Sequence, residues 1–299
     1  MRLLLLALLI LLLPCAGLSQ QLRAIPVEPA EPEVPQPAPA PAAPKPVAPD
    51  EESGLISGIP LVAESALAIR IDNNVVIYAK NIDRKRPVAS TQKLLTALLI
   101  AEAGDLDKKV AVKRTDGQTP PRNLWITEGS YYRKGTLLEM MLVRSFNDVT
   151  KCLARDHAGS QGEFAKLMNE RAAQLGMKDS HFLNAHGLTA EGQYSTARDM
   201  IRLAYAAYQN PEIRRLVGVR DTTFTYHGAK TIPVKNSNDL LHTYPSCTGM
   251  KTGFTEAAGR CLVASASRGE KTVLAVLLGS TMDDIWRDAE TLLEASLQH

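Results

Sequence analysis

Three short clusters of hydroxyl, amine and amide side chains stand out: Ser90-Thr91-Gln92-Lys93, Ser145-Phe146-Asn147 and Lys251-Thr252-Gly253. A serine hydroxyl is a poor nucleophile until a nearby base takes its proton. Residues three apart on a helix share a face, so Lys93 would lie alongside Ser90. A lysine serves as a base only when neutral, which requires burial or a neighbouring cation. Lys251, arriving on a facing strand, would be that cation. A helix start at Ser90 supplies free N–H groups and a positive dipole end for a developing oxyanion, and a passing strand edge offers a second N–H. Gly253 lets a substrate approach that strand closely. The chemistry to expect is nucleophilic acyl transfer. Ser-x-x-Lys arises by chance roughly once in a chain of this length, and Ser-x-Asn is as weak alone. Lys-Thr-Gly is scarcer, so order, spacing and element type together carry the reading.

The elements that must hold these groups follow from periodicity. Leu94, Leu95, Leu98, Leu99 and Ile100 continue from Ser90 with the repeat of a buried helix starting at or near that serine. Leu137 to Val143, Phe164 to Leu175 and Thr196 to Tyr208 read as further helices, the last headed by the capping pattern Thr196-Ala197-Arg198-Asp199. Ser145 therefore ends a helix. Ser65 to Ile71 and Val75 to Ala79 read as strands joined at Asp72-Asn73-Asn74, a hairpin signature. From Asp221 the pattern returns to strands, with Met250 to Phe254, Cys261 to Ser265 and Thr272 to Leu278 the clearest, and Asp283 to Leu297 closes as an amphipathic helix. Strands at both ends around a helical middle predict one sheet built from distant segments. A helical lobe over about residues 85–215 would be inserted into it, with the active site in the cleft between lobes.

The 34 Lys+Arg against 32 Asp+Glu leave a net charge of +2, which supplies no electrostatic footprint for nucleic acid. Met1-Arg2 and the apolar run Leu3 to Leu13 read as an export signal over residues 1–19, too short to span a bilayer, with Gly17 and Ser19 at the small-residue cleavage positions. Retained, it would be an anchor. Pro14 before Cys15 replaces the small residue that lipidation sites use. Residues 20–53 hold most of the 18 prolines and read as an extended Pro/Ala-rich tether, leaving 54–299 as the folded domain. Cleavage after Ser19 would leave Cys152, Cys247 and Cys261, an odd set without disulfide-framework spacing. No His-Glu-x-x-His occurs, so no metal or other cofactor is expected.

With these motifs in order, the sequence resembles the low-molecular-mass penicillin-binding D,D-carboxypeptidases. The likeness covers nearly all of residues 62–298. It includes Asp83-x-x-Arg86-Pro87-Val88-Ala89-Ser90, Phe182-x-Asn184-Ala185-His186-Gly187-Leu188, Asn236-x-Asn238 and Gly249-Met250-Lys251-Thr252-Gly253-Phe254-Thr255. The resemblance implies an α+β, β-lactamase/transpeptidase-like fold, an antiparallel sheet flanked by helices. It implies that Ser90 attacks the peptide bond between two D-alanines, Lys93 takes its proton, and Ser145 relays a proton to the leaving amine. Asn147 and Lys251 would position substrate and base. The N–H groups of Ser90 and Phe254 would form the oxyanion hole, and Thr252 with Lys251 would receive the terminal carboxylate. The implied partners are a peptidoglycan stem peptide and β-lactam antibiotics, which would acylate Ser90. The implied place is the periplasm or cell envelope, with membrane attachment only through the N-terminus because the chain stops at His299.

Thr91, Gln92 and Phe146 depart from the usual residues at their positions. His186 reads as a loop-fixing residue, Asn184, Asn236 and Asn238 as turn residues, Trp125 and Trp286 as packing residues, and Arg260 as a solvated strand end. A D,D-endopeptidase shares the same chemistry. A serine β-lactamase of the related class would need Glu-x-x-Leu-Asn, and Ser180 stands where that Glu belongs, ahead of Leu183-Asn184. An idle peptide-binding envelope protein would have no use for an intact Ser90, Lys93, Ser145 and Lys251.

Overall fold

The structure, a computed structural model, describes residues 55–299 except 118 and 229. The expected export signal and the whole of the expected tether lie outside the described residues. The chain opens with β1 (Ser65–Arg70) and β2 (Val75–Lys80), then a 3-10 turn (Ala89–Gln92) running into α1 (Lys93–Glu102). Short strands β3 (Lys109–Ala111) and β4 (Tyr131–Arg133) precede α2 (Lys134–Arg144), α3 (Asn147–Ala158), α4 (Gln161–Gln174), α5 (Ala197–Gln209) and α6 (Pro211–Val217). There follow β5 (Asp221–Thr225), β6 (Thr231–Lys235), α7 (Leu240–Thr243), β7 (Cys247–Thr255), β8 (Gly259–Arg268), β9 (Lys271–Ser280) and α8 (Ile285–Gln298). Among the described residues no helix is long and apolar enough to cross a membrane.

The two ends of the sequence meet in one sheet. Its order is β2-β1-β9-β8-β7, antiparallel throughout, with Ser65 opposite Leu278 and Arg70 opposite Val273. Side chains alternate along a strand, so β9 sends Leu274, Val276 and Leu278 into one core and Val273, Ala275 and Leu277 into the other. Both faces are covered, which is why β8 and β9 read as unbroken apolar runs. Ile285, Ala289, Leu292 and Leu293 of α8 seal one face. The helices α1 to α5 join the core on the other, with α1 innermost: Leu94, Leu95, Leu98 and Ile100 are all buried. A helix apolar on every side belongs in an interior. This is the α+β architecture that the motifs implied.

Three local features differ from expectation. Ser90 sits in the 3-10 turn and α1 begins at Lys93, because Ala89 takes a left-handed φ of +49° and Thr91 Oγ1 donates to the Val88 carbonyl at 2.6 Å. The strands β5 and β6 do not join the sheet. They form their own hairpin, drawn to the helical side where Phe224 meets Tyr132 with centroids 5.1 Å apart and Tyr226 Oη donates to the Leu124 carbonyl at 2.7 Å. The helix α3 was not read at all, since its first turn is polar.

The loop between α4 and α5 presses on the turn that carries Ser90. Gly187 has φ +83°, and its amide donates to Asn184 Oδ1 at 2.7 Å. A Cβ built there would lie 2.9 Å from the Ser90 nitrogen and closer still to the Ala89 carbonyl. Gly192, with the same φ of +83°, would have nothing within 4 Å of its Cβ. Gly192→Ala should therefore cost about 1 kcal/mol, the left-handed strain alone, and Gly187→Ala about 3 kcal/mol. Chemical denaturation checks this; equal losses would show that the close approach contributes nothing.

Candidate active site

Lys93 and Lys251 are both 0% exposed, yet each carries an amine. A buried lysine charge is costly unless paired, and no carboxylate pairs with either among the described residues. Burial first, then the nearby charges of Lys251 and Arg122, hold Lys93 well below the ordinary lysine range. Burial thus favours the neutral amine, which carries two N–H groups and one lone pair. The N–H groups have two carbonyl acceptors, Asn147 Oδ1 at 2.8 Å and the main-chain oxygen of His186 at 2.5 Å. Ser90 Oγ lies 2.9 Å from the same amine, within reach for proton transfer to its neutral form, and itself donates to the His186 carbonyl at 3.2 Å. That is the geometry of a base about to take a hydroxyl proton.

Ser145 and Asn147 enter through a break between helices. Ser145 caps α2 with φ +67°, Phe146 is extended, and Asn147 is the first residue of α3, so the spacing of one residue turns both side chains towards the cleft. Ser145 Oγ is buried without a hydrogen-bond partner. A hydroxyl withdrawn from water and left unpaired is unfavourable until a ligand or proton donor meets it. Asn147 donates from Nδ2 to the Thr119 carbonyl at 3.2 Å, which fixes its Oδ1 towards Lys93. The next residue, Asp148, is buried and accepts the amides of Leu124 and Trp125 at 2.9 and 2.7 Å. It clamps the loop before β4 onto α3, and that loop returns the favour where the Arg122 carbonyl accepts the Asn147 amide at 2.7 Å.

The third wall is β7, the edge strand of the sheet. A Cβ on Gly253 would lie 2.9 Å from the Ser90 nitrogen and 3.0 Å from the Thr91 nitrogen, so only glycine lets the strand pass this close. Thr252 Oγ1 shares a hydrogen bond with Ser237 Oγ at 2.7 Å. The Lys251 amine donates to the Thr252 carbonyl at 3.0 Å, and burial, with Arg122 nearby, brings it down to about 7. Phe254 is exposed at the rim. Ser90, Ser145, Asn147, Thr252, Gly253 and Phe254 all line one solvent-open cleft of about 560 Å³, with Lys93 and Lys251 buried behind it. Among the described residues no aspartate or glutamate lines it.

Some contributors were not legible. The His186 carbonyl is a main-chain group, and no side-chain motif announces it. His186 itself is brought down to about 3 by burial and by Lys93 and Lys151, so its ring is neutral and fixes the loop by accepting the Leu188 amide at 3.2 Å. Gln92 donates to the Asn184 carbonyl at 2.6 Å and ties that loop to the Ser90 turn. Asp148 was missed, although an acid in the first turn of a helix was the available signal. Arg260, read as a solvated strand end, lines the cleft instead. Trp125, read as packing, is 69% exposed, because Asp148 holds its amide while its φ of +60° turns the ring outward. Trp286 packs against the core beneath α8. Cys152, Cys247 and Cys261 are buried and unpaired.

Residues 56–282 match the family described as D-alanyl-D-alanine carboxypeptidase. The D-alanyl-D-alanine carboxypeptidase DacF of Bacillus subtilis is 34% identical over 224 residues, 73% of this chain and 58% of its own length. A D-alanyl-D-alanine endopeptidase of Escherichia coli is 33% identical over 249 residues, 80% of this chain and 78% of its own. The ampicillin-bound structure of penicillin-binding protein D2 from Listeria monocytogenes superposes with a TM-score of 0.71 at 30% identity, covering 80% of this chain and 98% of that one. This chain thus spans little more than half of DacF, but the whole of its cleft falls within the matched segment. By the family match over residues 56–282 and the 34% identity to DacF, the chain belongs to the D-alanyl-D-alanine carboxypeptidase family.

Proposed function

We propose that the chain is an exported serine D-alanyl-D-alanine carboxypeptidase that removes the terminal D-Ala from peptidoglycan stem pentapeptides. One observation carries the reading: the buried Lys93 amine, without a carboxylate partner and held well below the ordinary lysine range by burial, lies 2.9 Å from Ser90 Oγ. Ser90 attacks the carbonyl between the two D-alanines and Lys93 takes its proton. The oxyanion is met by the N–H groups of Ser90 and Phe254. Thr252 and the Lys251 cation receive the terminal carboxylate, and Asn147 holds Lys93 in register. Ser145 passes its proton to the departing amine and takes the one that Lys93 accepted, so D-Ala leaves neutral at nitrogen, Lys93 is again a free base and Ser90 is left as an ester. Water, activated by Lys93, releases the shortened peptide.

A β-lactam that copies the D-Ala-D-Ala end acylates the same oxygen. Among the described residues no acid lines the cleft to serve as a second deacylating base beside Lys93, which would leave the penicilloyl ester long-lived. Residues 1–19 act as the export signal and 20–53 as the tether that reaches the wall. D,D-endopeptidase action is the second reading, since an endopeptidase relative is 33% identical over 80% of this chain.

Intact-mass measurement should find one benzylpenicillin adduct on the wild type and none on Ser90→Ala, while Lys93→Ala slows acylation by about a thousandfold. Adduct on Ser90→Ala would end this assignment. D-Ala release from a muropeptide pentapeptide should exceed cleavage of a D,D-cross-linked dimer; the reverse ranking selects the endopeptidase.

The two lysines set opposite limbs of the pH profile. Lys93 loses its basic role as pH falls through its depressed pKa. Lys251, at about 7, is a cation below that value and loses carboxylate capture as pH rises through it. The kcat/KM for D-Ala release should therefore decline above about pH 7, by about tenfold per unit at the steepest. Lys251→Arg should carry that limb to higher pH, and a limb that stays in place belongs to another group.

A further inference from the structure

Two cations of the cleft take no part in the proposed reaction. Arg260 begins β8 in register with Phe254. Its Nε donates to Met282 Sδ at 2.6 Å, and its guanidinium lies over the Phe254 ring, 5.5 Å from the centroid. These contacts fix its direction but occupy neither terminal nitrogen. The acid it feels, Asp239, makes no ion pair with it. Arg122 stands on the opposite wall, and its side chain makes no hydrogen bond or ion pair among the described residues. Its charged neighbours are Arg144 and Arg260, both of like sign. Elsewhere the half-buried arginines have acids: Arg155 with Asp116 at 2.8 Å and Arg171 with Glu102 at 2.6 Å. Two guanidinium groups facing one acid-free hollow lack a counter-charge that an incoming carboxylate would supply.

Position along β7 says which part of the substrate brings it. Thr252 and Lys251 lie on one side of Gly253, where the proposed reaction puts the terminal carboxylate. Phe254 and its register partner Arg260 lie on the other side, along which the acyl portion of the peptide must run. We propose that Arg260 and Arg122 form an anion subsite on the acyl side of the cleft, taking the free side-chain carboxylate of the residue just before the two D-alanines. The inference rests on the D,D-peptidase reading and narrows its substrate class to stem peptides with an acidic third residue.

Two synthetic pentapeptides ending in D-Ala-D-Ala test it, one with a diamino-diacid in third place and the other with that side-chain carboxylate as its carboxamide. Wild type should cleave the carboxylate form with about tenfold higher kcat/KM, the effect of one charge-assisted bidentate contact. Arg260→Gln and Arg122→Gln should each bring the ratio to within about threefold of one, and Arg260→Lys, which keeps the charge but loses the bidentate fork, should retain only part of the preference. Wild type cleaving both peptides equally, or a preference that survives Arg260→Gln and Arg122→Gln together, overturns the subsite and leaves the carboxypeptidase reading standing. Cleavage of neither peptide, with no penicillin adduct on Ser90, overturns that underlying reading and the subsite with it.

Discussion

An amine sealed from water without a carboxylate beside it is the constraint on which the rest of the molecule turns. Ionised, Lys93 would sit in a low-dielectric interior among other cations, so the fold stabilises its neutral form. Neutrality then fixes the hydrogen-bond arithmetic. Asn147 Oδ1 and the His186 carbonyl take two donors of the amine, which leaves the neutral form's lone pair free for the Ser90 hydroxyl 2.9 Å away. Had either acceptor been absent, the amine could rotate and its lone pair would no longer have a defined target. The base is prepared by packing before any substrate arrives.

Each acceptor is supported from further out. Asn147 is aimed by the α2–α3 break and by the Thr119 carbonyl, and Asp148 gathers the facing loop onto the same helix start. The His186 carbonyl is delivered by a loop that Asn184, Gln92 and the close seat of Gly187 hold against the Ser90 turn. Neither loop touches the reaction directly through a charged side chain of its motif. Their work is to keep main-chain groups where Lys93 needs them. Buried polar networks of this kind tolerate little, because every lost partner leaves an unpaired group in the interior.

This division explains what could be read from the residues alone. Ser90 and Lys93 declare themselves through helical spacing, and Lys251 through its strand, since local periodicity controls both. The sheet was legible because β8 and β9 are apolar on both faces. Asp148, the His186 carbonyl and the two cleft arginines were not, because their roles arise only when segments far apart in the chain are brought together. Trp125 shows the same limit. Its type suggests burial, yet a carboxylate from another helix decides which way its ring points. The polar opening of α3 hid a whole helix for a related reason: its amphipathic face begins only after the residues that serve the cleft.

The terminal place of β7 in the sheet has a consequence beyond the cleft. An edge strand presents main-chain groups to any extended chain that can reach them, and in many proteins that is an aggregation hazard. Here Pro121 and Arg122 on one side and Leu188 on the other flank the strand at Thr252, Gly253 and Phe254. A single unpaired peptide can lie along such an edge as an added strand. The edge thereby suits flexible, unstructured polymer ends as its guests.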